Sequence, residues 1–276
     1  MIAVTSTETG QATTPTASGT GAPALELSAI DLHYGFVRAL DQLDFSVQQG
    51  EVVALLGDNG AGKSTLLKVM SGAHRPTTGT IRVHGEETVL HAPSDATAAG
   101  IEMVYQDLAL VDAQDIATNL NIGREIFRRG PLGWFGFVDH KAQRRRSEAE
   151  LDQLGVRTAA MTRPVEMLSG GQRQVVALAR SATRVSGERK GVLLLDEPTA
   201  ALGYEQTQQV QALIRRMAGQ GIAIVLVTHD LPLAMAVSHR VVVLNRGRKV
   251  ADVATQETDN DQLVGWITGA RASMFG

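Results

Sequence analysis

Three stretches of the chain are apolar without interruption: Val52-Val53-Ala54-Leu55-Leu56, Val192-Leu193-Leu194-Leu195 and Ile222-Ala223-Ile224-Val225-Leu226-Val227. A strand with one wet face alternates apolar and polar residues, whereas a strand covered on both faces does not. These runs therefore predict central strands of a parallel sheet, with helices layered on it. One such helix is legible. Val210, Leu213, Ile214 and Met217 recur at i, i+3, i+4 and i+7 and are followed by Gly219 and Gly221 as stop signals. Alternation in Leu43-Asp44-Phe45-Ser46-Val47 and in Ile81-Arg82-Val83 predicts half-buried, antiparallel strands near the front. The expected fold class is α/β: a layered parallel core sheet with a smaller antiparallel addition.

Between about Asp107 and Glu188 the pattern turns helical, and a glycine-aromatic loop, Gly130-Pro131-Leu132-Gly133-Trp134-Phe135-Gly136-Phe137, interrupts it. The expected organisation is one domain over residues 24–276. Its core is residues 24–107 and 188–276, and a helical subdomain spans 108–187. Arg144-Arg145-Arg146 reads as a solvated helix face, with a partner-docking patch as the alternative. Residues 1–23, rich in Thr, Ala, Ser, Gly and Pro, are expected to form a disordered tail, or else a regulatory docking segment. No Lys or Arg precedes Arg38, which argues against a secretory or transit peptide.

Composition removes several chemistries. Cysteine is absent, so there is no disulfide, thiolate metal site or cysteine nucleophile. The seven His show no HExxH spacing, and the net charge of -3 gives no whole-chain reason to expect nucleic-acid binding. The apolar runs fall far short of the ~20 residues a membrane helix needs.

Gly57-Asp58-Asn59-Gly60-Ala61-Gly62-Lys63-Ser64-Thr65 fits GxxxxGK[ST] between a buried strand and a helical run. In such a loop the backbone N–H groups form an anion nest and the helix N-terminus adds partial positive charge. Lys63 reaches the β and γ phosphates, and Ser64 is a Mg²⁺ ligand. The run Leu193-Leu194-Leu195-Asp196-Glu197-Pro198 ends an apolar strand in two carboxylates. Asp196 is placed in the Mg²⁺ shell, and Glu197 is the candidate general base for water attacking a γ phosphate. A second glycine loop, Leu168-Ser169-Gly170-Gly171-Gln172, opens another helix. It reads either as a second phosphate cradle or as a simple N-cap by Ser169.

Taken together and in order, the phosphate loop, the LSGGQ loop, the Leu-Leu-Leu-Asp-Glu-Pro strand and His229 after an apolar strand resemble the ATP-binding cassette (ABC) ATPases, over essentially residues 25 to 270. The resemblance implies a P-loop NTPase (RecA-like) core with an antiparallel addition and a helical insert. It implies a head-to-tail dimer, with each ATP held between the Lys63 loop of one chain and the Ser169 loop of a second cassette. It also implies that Gln106 is a lid glutamine sensing Mg²⁺ and the membrane partner, that His229 touches the γ phosphate, and that Tyr34 stacks on adenine. The candidate site is thus Tyr34, Gly57, Asn59, Gly60, Ala61, Gly62, Lys63, Ser64, Thr65, Ser169, Gly170, Gly171 and Gln172 for ATP. Ser64, Gln106 and Asp196 are assigned to Mg²⁺, and Glu197, His229, Lys63 and Gln106 to catalysis.

The pattern departs from the family at Gly203, where an Asp contacting the opposite chain is usual. That variant, with Asn121-Ile122-Gly123-Arg124-Glu125 and Trp266-Ile267-Thr268-Gly269-Ala270, is similar to carbohydrate-uptake cassettes of the single-cassette ribose and fructose type. The resemblance implies an importer subunit peripheral to the cytoplasmic face of the membrane. Its partners would be transmembrane permease subunits and, indirectly, a periplasmic or extracellular solute-binding protein. The rivals are a cassette serving another solute and a soluble cassette acting on nucleic acid or ribosomes. A single cassette, no heptad tract and an acidic balance weigh against the latter.

Overall fold

The computed structural model describes residues 2–4, 21–105, 107–158, 161–187, 189–200, 202–271 and 273–275. In chain order these residues form β1 (Ile2–Val4), β2 (Leu25–Tyr34), β3 (Val37–Val47), β4 (Val52–Gly57), α1 (Lys63–Met70), β5 (Thr78–Val83), β6 (Glu86–Glu87), α2 (Pro93–Ala98) and β7 (Ile101–Val104). Then come α3 (Ile116–Asn121), α4 (Pro131–Trp134), α5 (His140–Gln153), β8 (Val156–Thr158) and α6 (Gly170–Val185). The chain finishes with β9 (Val192–Asp196), α7 (Tyr204–Gly219), β10 (Ala223–Val227), α8 (Leu231–Val237), β11 (Arg240–Asn245), β12 (Arg248–Ala254) and α9 (Asn260–Thr268).

The three unbroken apolar runs become β4, β9 and β10, neighbours in a six-stranded sheet of order β12-β11-β4-β10-β9-β7. All its pairings are parallel except the edge pair β11·β12. Successive residues of these strands enter opposite cores. Leu193, Leu195, Ile224 and Leu226 pack with the residues of α6 and α7, while Val192, Leu194, Val225 and Val227 pack with α1 and the second sheet. Burial on both faces is what the lack of alternation encodes. The residues expected to face inward from α7, Val210, Leu213, Ile214 and Met217, are all fully buried.

The antiparallel addition is a four-stranded sheet of order β3-β2-β5-β6, and it contains both alternating segments. Asp31 on β2 pins it. Arg38 and Gln42 of β3 and Thr78 of β5 all donate to its carboxylate, Arg38 Nε at 2.7 Å and Thr78 Oγ1 at 3.2 Å.

The segment from 108 to 187 carries α3 to α6 and the short β8. Of the expected tail, residues 1 and 5–20 lie outside the described residues, and Ile2–Val4 pairs antiparallel with Val156–Thr158 in a two-stranded ribbon. Three apolar residues with a ladder available are strand-competent even in a polar leader. In the Arg144-Arg145-Arg146 run the first two side chains are exposed, and Arg146 joins Arg124 on the carboxylate of Glu150.

Candidate functional site

The register of the sheet gathers the chemistry. Leu55 of β4 lies beside Val227 of β10, and Val227 beside Asp196 of β9, so the carboxyl ends of three adjacent strands finish together. In a parallel α/β sheet that edge is where loops can meet a ligand.

From β4 the chain enters the glycine loop and turns into α1. Gly62 caps that helix at φ 107° with no side-chain hydrogen bond, which leaves the N–H groups of the first turn open toward an anion. Gly57 is confined by packing: a Cβ there would meet the carbonyl oxygen of Leu244 at 2.5 Å. Asp58 already shows what the nest prefers, since its Oδ1 accepts from the N–H of Asn59 at 2.7 Å. Lys63 folds back over the loop, its Nζ donating to the carbonyls of Gly57 (2.7 Å) and Asp58 (3.0 Å), while Ser64 is exposed. A groove of about 400 Å³ is lined by residues 59–65, with Val37, Arg38 and Ala39 of β3 as its far wall. Tyr34 stands at the end of β2, half-exposed, its ring set edge-on to His74 at 5.5 Å.

A second cavity, of about 530 Å³, brings Gly57, Asp58, Asn59 and Lys63 together with Glu197, Thr228 and His229. Glu197 sits in the left-handed region at φ 50°, a conformation that costs of order 1–3 kcal/mol in a non-glycine residue. That turn is how two adjacent carboxylates come to point different ways at one strand end. Glu197 Oε1 lies 2.9 Å from His229 Nδ1, and its Oε2 accepts from Thr228 Oγ1 at 3.4 Å. His229 is 79% exposed on its side chain, and the N-cap of α8 is made by the neighbouring Asp230 instead. The contact with Glu197 thus leaves most of the imidazole open to solvent.

Burial first, and then the neighbouring Glu197 charge, push the Asp196 carboxyl above its ordinary range, against the opposing pull of Lys63. A cation beside it would relieve both effects, so the donor set suits Mg²⁺. No cluster of three His, Asp or Glu exists among the described residues. An ion beside Asp196 would be held by that one carboxylate, a hydroxyl and the phosphates of its substrate.

The Ser169 loop is built otherwise. Ser169 caps α6 in a reciprocal box, its Oγ accepting from the N–H of Gln172 at 3.3 Å while Gln172 Oε1 accepts from the N–H of Ser169 at 3.1 Å. Of the two readings from sequence the structure shows the N-cap, and that bond uses the hydroxyl oxygen rather than its proton. Ser169 and Gly170 are exposed. Gly171 is buried, and a Cβ on it would meet Gln206 Cγ of α7 at 2.2 Å, so its smallness also serves packing within the chain. The same Gln206 reaches Gly203, the N-cap of α7, where a Cβ would meet its Oε1 at 2.7 Å. Further along α6, Arg180 donates to the carbonyls of Leu108 (2.9 Å) and Ala109 (2.8 Å), and Arg184 pairs with Glu102 of β7 at 2.9 Å.

The strand-end cavity accordingly joins Gly57, Asn59, Lys63, Glu197 and His229, while Ser169 to Gln172 stand on a separate helix and Tyr34 on the antiparallel sheet. Gln106 and Ala201 lie outside the described residues. Sequence reasoning passed over Thr228, which is fully buried, holds Glu197 and accepts from the N–H of Asp230 at 3.0 Å. A hydroxyl residue between an apolar strand and His229 was the available signal.

Comparison with known proteins gives the family. The sequence pattern of the family "ABC transporter" matches residues 40–200. The chain is 41% identical over 251 residues to the fructose import ATP-binding protein FrcA of Rhizobium meliloti, covering 90% of this chain and 95% of that protein. It is 38% identical to the xylose/arabinose import ATP-binding protein XylG of Sulfolobus acidocaldarius, over 88% and 93% of the two chains. Among solved structures, an ATP-binding cassette of an ABC transporter superposes with a TM-score of 0.76 at 22% identity, covering 90% of this chain and 98% of that one. The chain belongs to the ATP-binding cassette ATPases of the ABC transporter family.

Proposed function

We propose that this chain is the ATP-hydrolysing subunit of a sugar importer and that it works as one half of a head-to-tail pair of cassettes. The observation that carries the reading is the division of the site. Lys63, Glu197 and His229 share one cavity at the strand ends, whereas Ser169 and Gly170 lie exposed on the helical part, as a cradle for a nucleotide held by another copy.

In this reading the loop of residues 57–65 binds the phosphates and Lys63 exchanges its two carbonyl partners for phosphate oxygens. Ser64 and Asp196 hold Mg²⁺, whose role when bound is to neutralise charge on the phosphates. Glu197, kept in place by Thr228, orients water and takes its proton, and His229 leaves Glu197 to reach the γ phosphate. Tyr34 flanks the adenine, and the family resemblance assigns Gln106 to sensing the ion. The partner's Ser169 hydroxyl and Gly170 N–H close the open side, and permease subunits receive the motion at the membrane. Among the described residues no helix is long and apolar enough to cross a membrane, which suits a subunit that lies against one.

The sugar cargo is supported by the relatives named for fructose and for xylose/arabinose import. Its test is uptake of labelled fructose, xylose, arabinose and ribose by cells with and without this chain. Loss of uptake of one of them is expected, and unchanged uptake of all four would overturn the sugar assignment. The pairing is tested by the hydrolysis rate per chain, which should fall on dilution below the association range.

A further inference from the structure

The helical part carries a feature that the nucleotide site does not use. After α3 the chain runs out and back as a finger. The N–H of Arg128 donates to the carbonyl of Phe137 at 2.9 Å, that of Asp139 to the carbonyl of Ile126 at 2.7 Å, and Phe127 bridges to Val138. Its tip is α4, held so close to the outgoing arm that a Cβ on Gly133 would meet the carbonyl oxygen of Arg128 at 1.8 Å. The finger is therefore shaped by its sequence.

What it displays is unusual for a surface facing water. Trp134 is 96% exposed and Phe135 79%, and Phe127 and Phe137 on the two arms are exposed as well. Four aromatics brought together on one protrusion form a cluster of the kind that marks an interaction site rather than the scattered apolar residues of an ordinary surface. Charge identifies the partner. From Arg128 to Arg145 stand five cations, Arg128, Arg129, Lys141, Arg144 and Arg145, against one acid, Asp139, in a chain whose net charge is -3. All five cations are exposed, and none forms an ion pair among the described residues. Asp139 is spent on capping α5, its Oδ1 accepting from the N–H of Ala142 at 3.0 Å.

Trp and Phe flanked by unpaired Arg and Lys is the chemistry of the bilayer interface, where rings enter the headgroup region and cations meet anionic lipid. We infer that the finger at residues 126–139, with the basic face of α5 behind it, docks directly on an anionic lipid surface and gives this peripheral chain a membrane contact of its own. The two tryptophans make the docking visible, because Trp266 is buried and Trp134 is not.

The test uses the full-length chain, co-sedimented with vesicles of phosphatidylcholine alone or mixed equally with phosphatidylglycerol. Binding to the mixed vesicles only is expected, weakened by salt and accompanied by a blue shift of emission that W134F abolishes. The double variant W134S/F135S should bind at least about tenfold more weakly, and R128Q/R129Q a few-fold, with ATP hydrolysis and thermal midpoint unchanged in both. Absence of binding to mixed vesicles, or full binding by W134S/F135S, overturns the inference. So does a W134S/F135S chain that changes oligomeric state, which assigns the finger to a second copy. Loss of co-purification with permease in detergent, with vesicle binding intact, assigns it to protein and also overturns the inference. None of these outcomes touches the nucleotide reading, which hydrolysis reports separately.

Discussion

The two glycine loops of this chain look alike in sequence and are used differently. The loop at residues 57–62 leaves a strand buried on both faces, and around it the same chain supplies Asp196, Glu197 and His229. The loop at residues 169–172 starts a helix of the insert, pairs the N–H groups of Ser169 and Gln172 through a capping box, and leaves Ser169 and Gly170 on the surface. A cradle seated on a rigid sheet can hold charged groups in place before a substrate arrives. A loop on a surface helix has no such surroundings within its own chain. The difference teaches that one loop is surrounded by charged groups of its own chain while the other faces outward, and the proposed pairing of cassettes rests on that division.

The largest expected effect tests the surroundings of the first loop. Glu197→Gln keeps size and hydrogen bonding but removes the base, so hydrolysis should fall by roughly 10²–10⁴ with ATP binding retained. Phosphate release and equilibrium nucleotide binding measure the two, and an undiminished rate would refute the role. The outward-facing loop is probed at Gly170, where an added Cβ meets nothing within 4 Å. Gly170→Leu should leave the thermal midpoint alone yet slow hydrolysis by about 10², the penalty for a displaced catalytic contact. Gly171→Val is its control, because it should cost about 1–3 kcal/mol of stability by forcing Gln206 aside, as denaturant unfolding would show. If both variants behave alike, the distinction between an inward and an outward glycine fails.

Smaller effects sharpen the picture. Thr228→Val removes a partner of Glu197 and of the Asp230 N–H, at a cost of about 1–2 kcal/mol. It should lower turnover more than it raises the Michaelis constant. The antiparallel sheet gives a pH signature: the hydrogen bonds of Arg38, and behind them Gln42, hold Asp31 at about 2 instead of 3.8, against the opposing effect of burial. A depressed carboxyl stabilises the fold above its unfolded value and loses that contribution as pH falls through the folded one. Acid melting should therefore show a component between pH 3.8 and about 2 that Asp31→Asn removes.

The central sheet was legible because burial on both faces leaves an unbroken apolar run, and the α7 face because four residues obey helical spacing. The phosphate loop and Asp196-Glu197 were legible because strand, loop and helix occur in the order the chemistry needs. What stayed hidden depends on contacts distant in sequence. Nothing near Thr228 announces that its hydroxyl will find Glu197, 31 residues away. Nor does the sequence around Gly171 show that its size answers to Gln206. The pairing of Ile2–Val4 with Val156–Thr158 spans most of the chain, and composition had suggested a leader without structure. Local pattern reports what a segment is, and only the tertiary arrangement reports whom it meets.

The clasp made by Arg180 has a mechanical consequence. It fastens α6 to the carbonyls of Leu108 and Ala109, just beyond Gln106, at a point about 16 Å along the helix axis from Ser169. The same helix is held near its start as well, where Gly171 lies buried against Gln206 of α7, so it ties the strap to α7 as one stiff body. Pushing on the segment after residue 106 would thus reach the serine of the distant loop only by carrying α7 along with it.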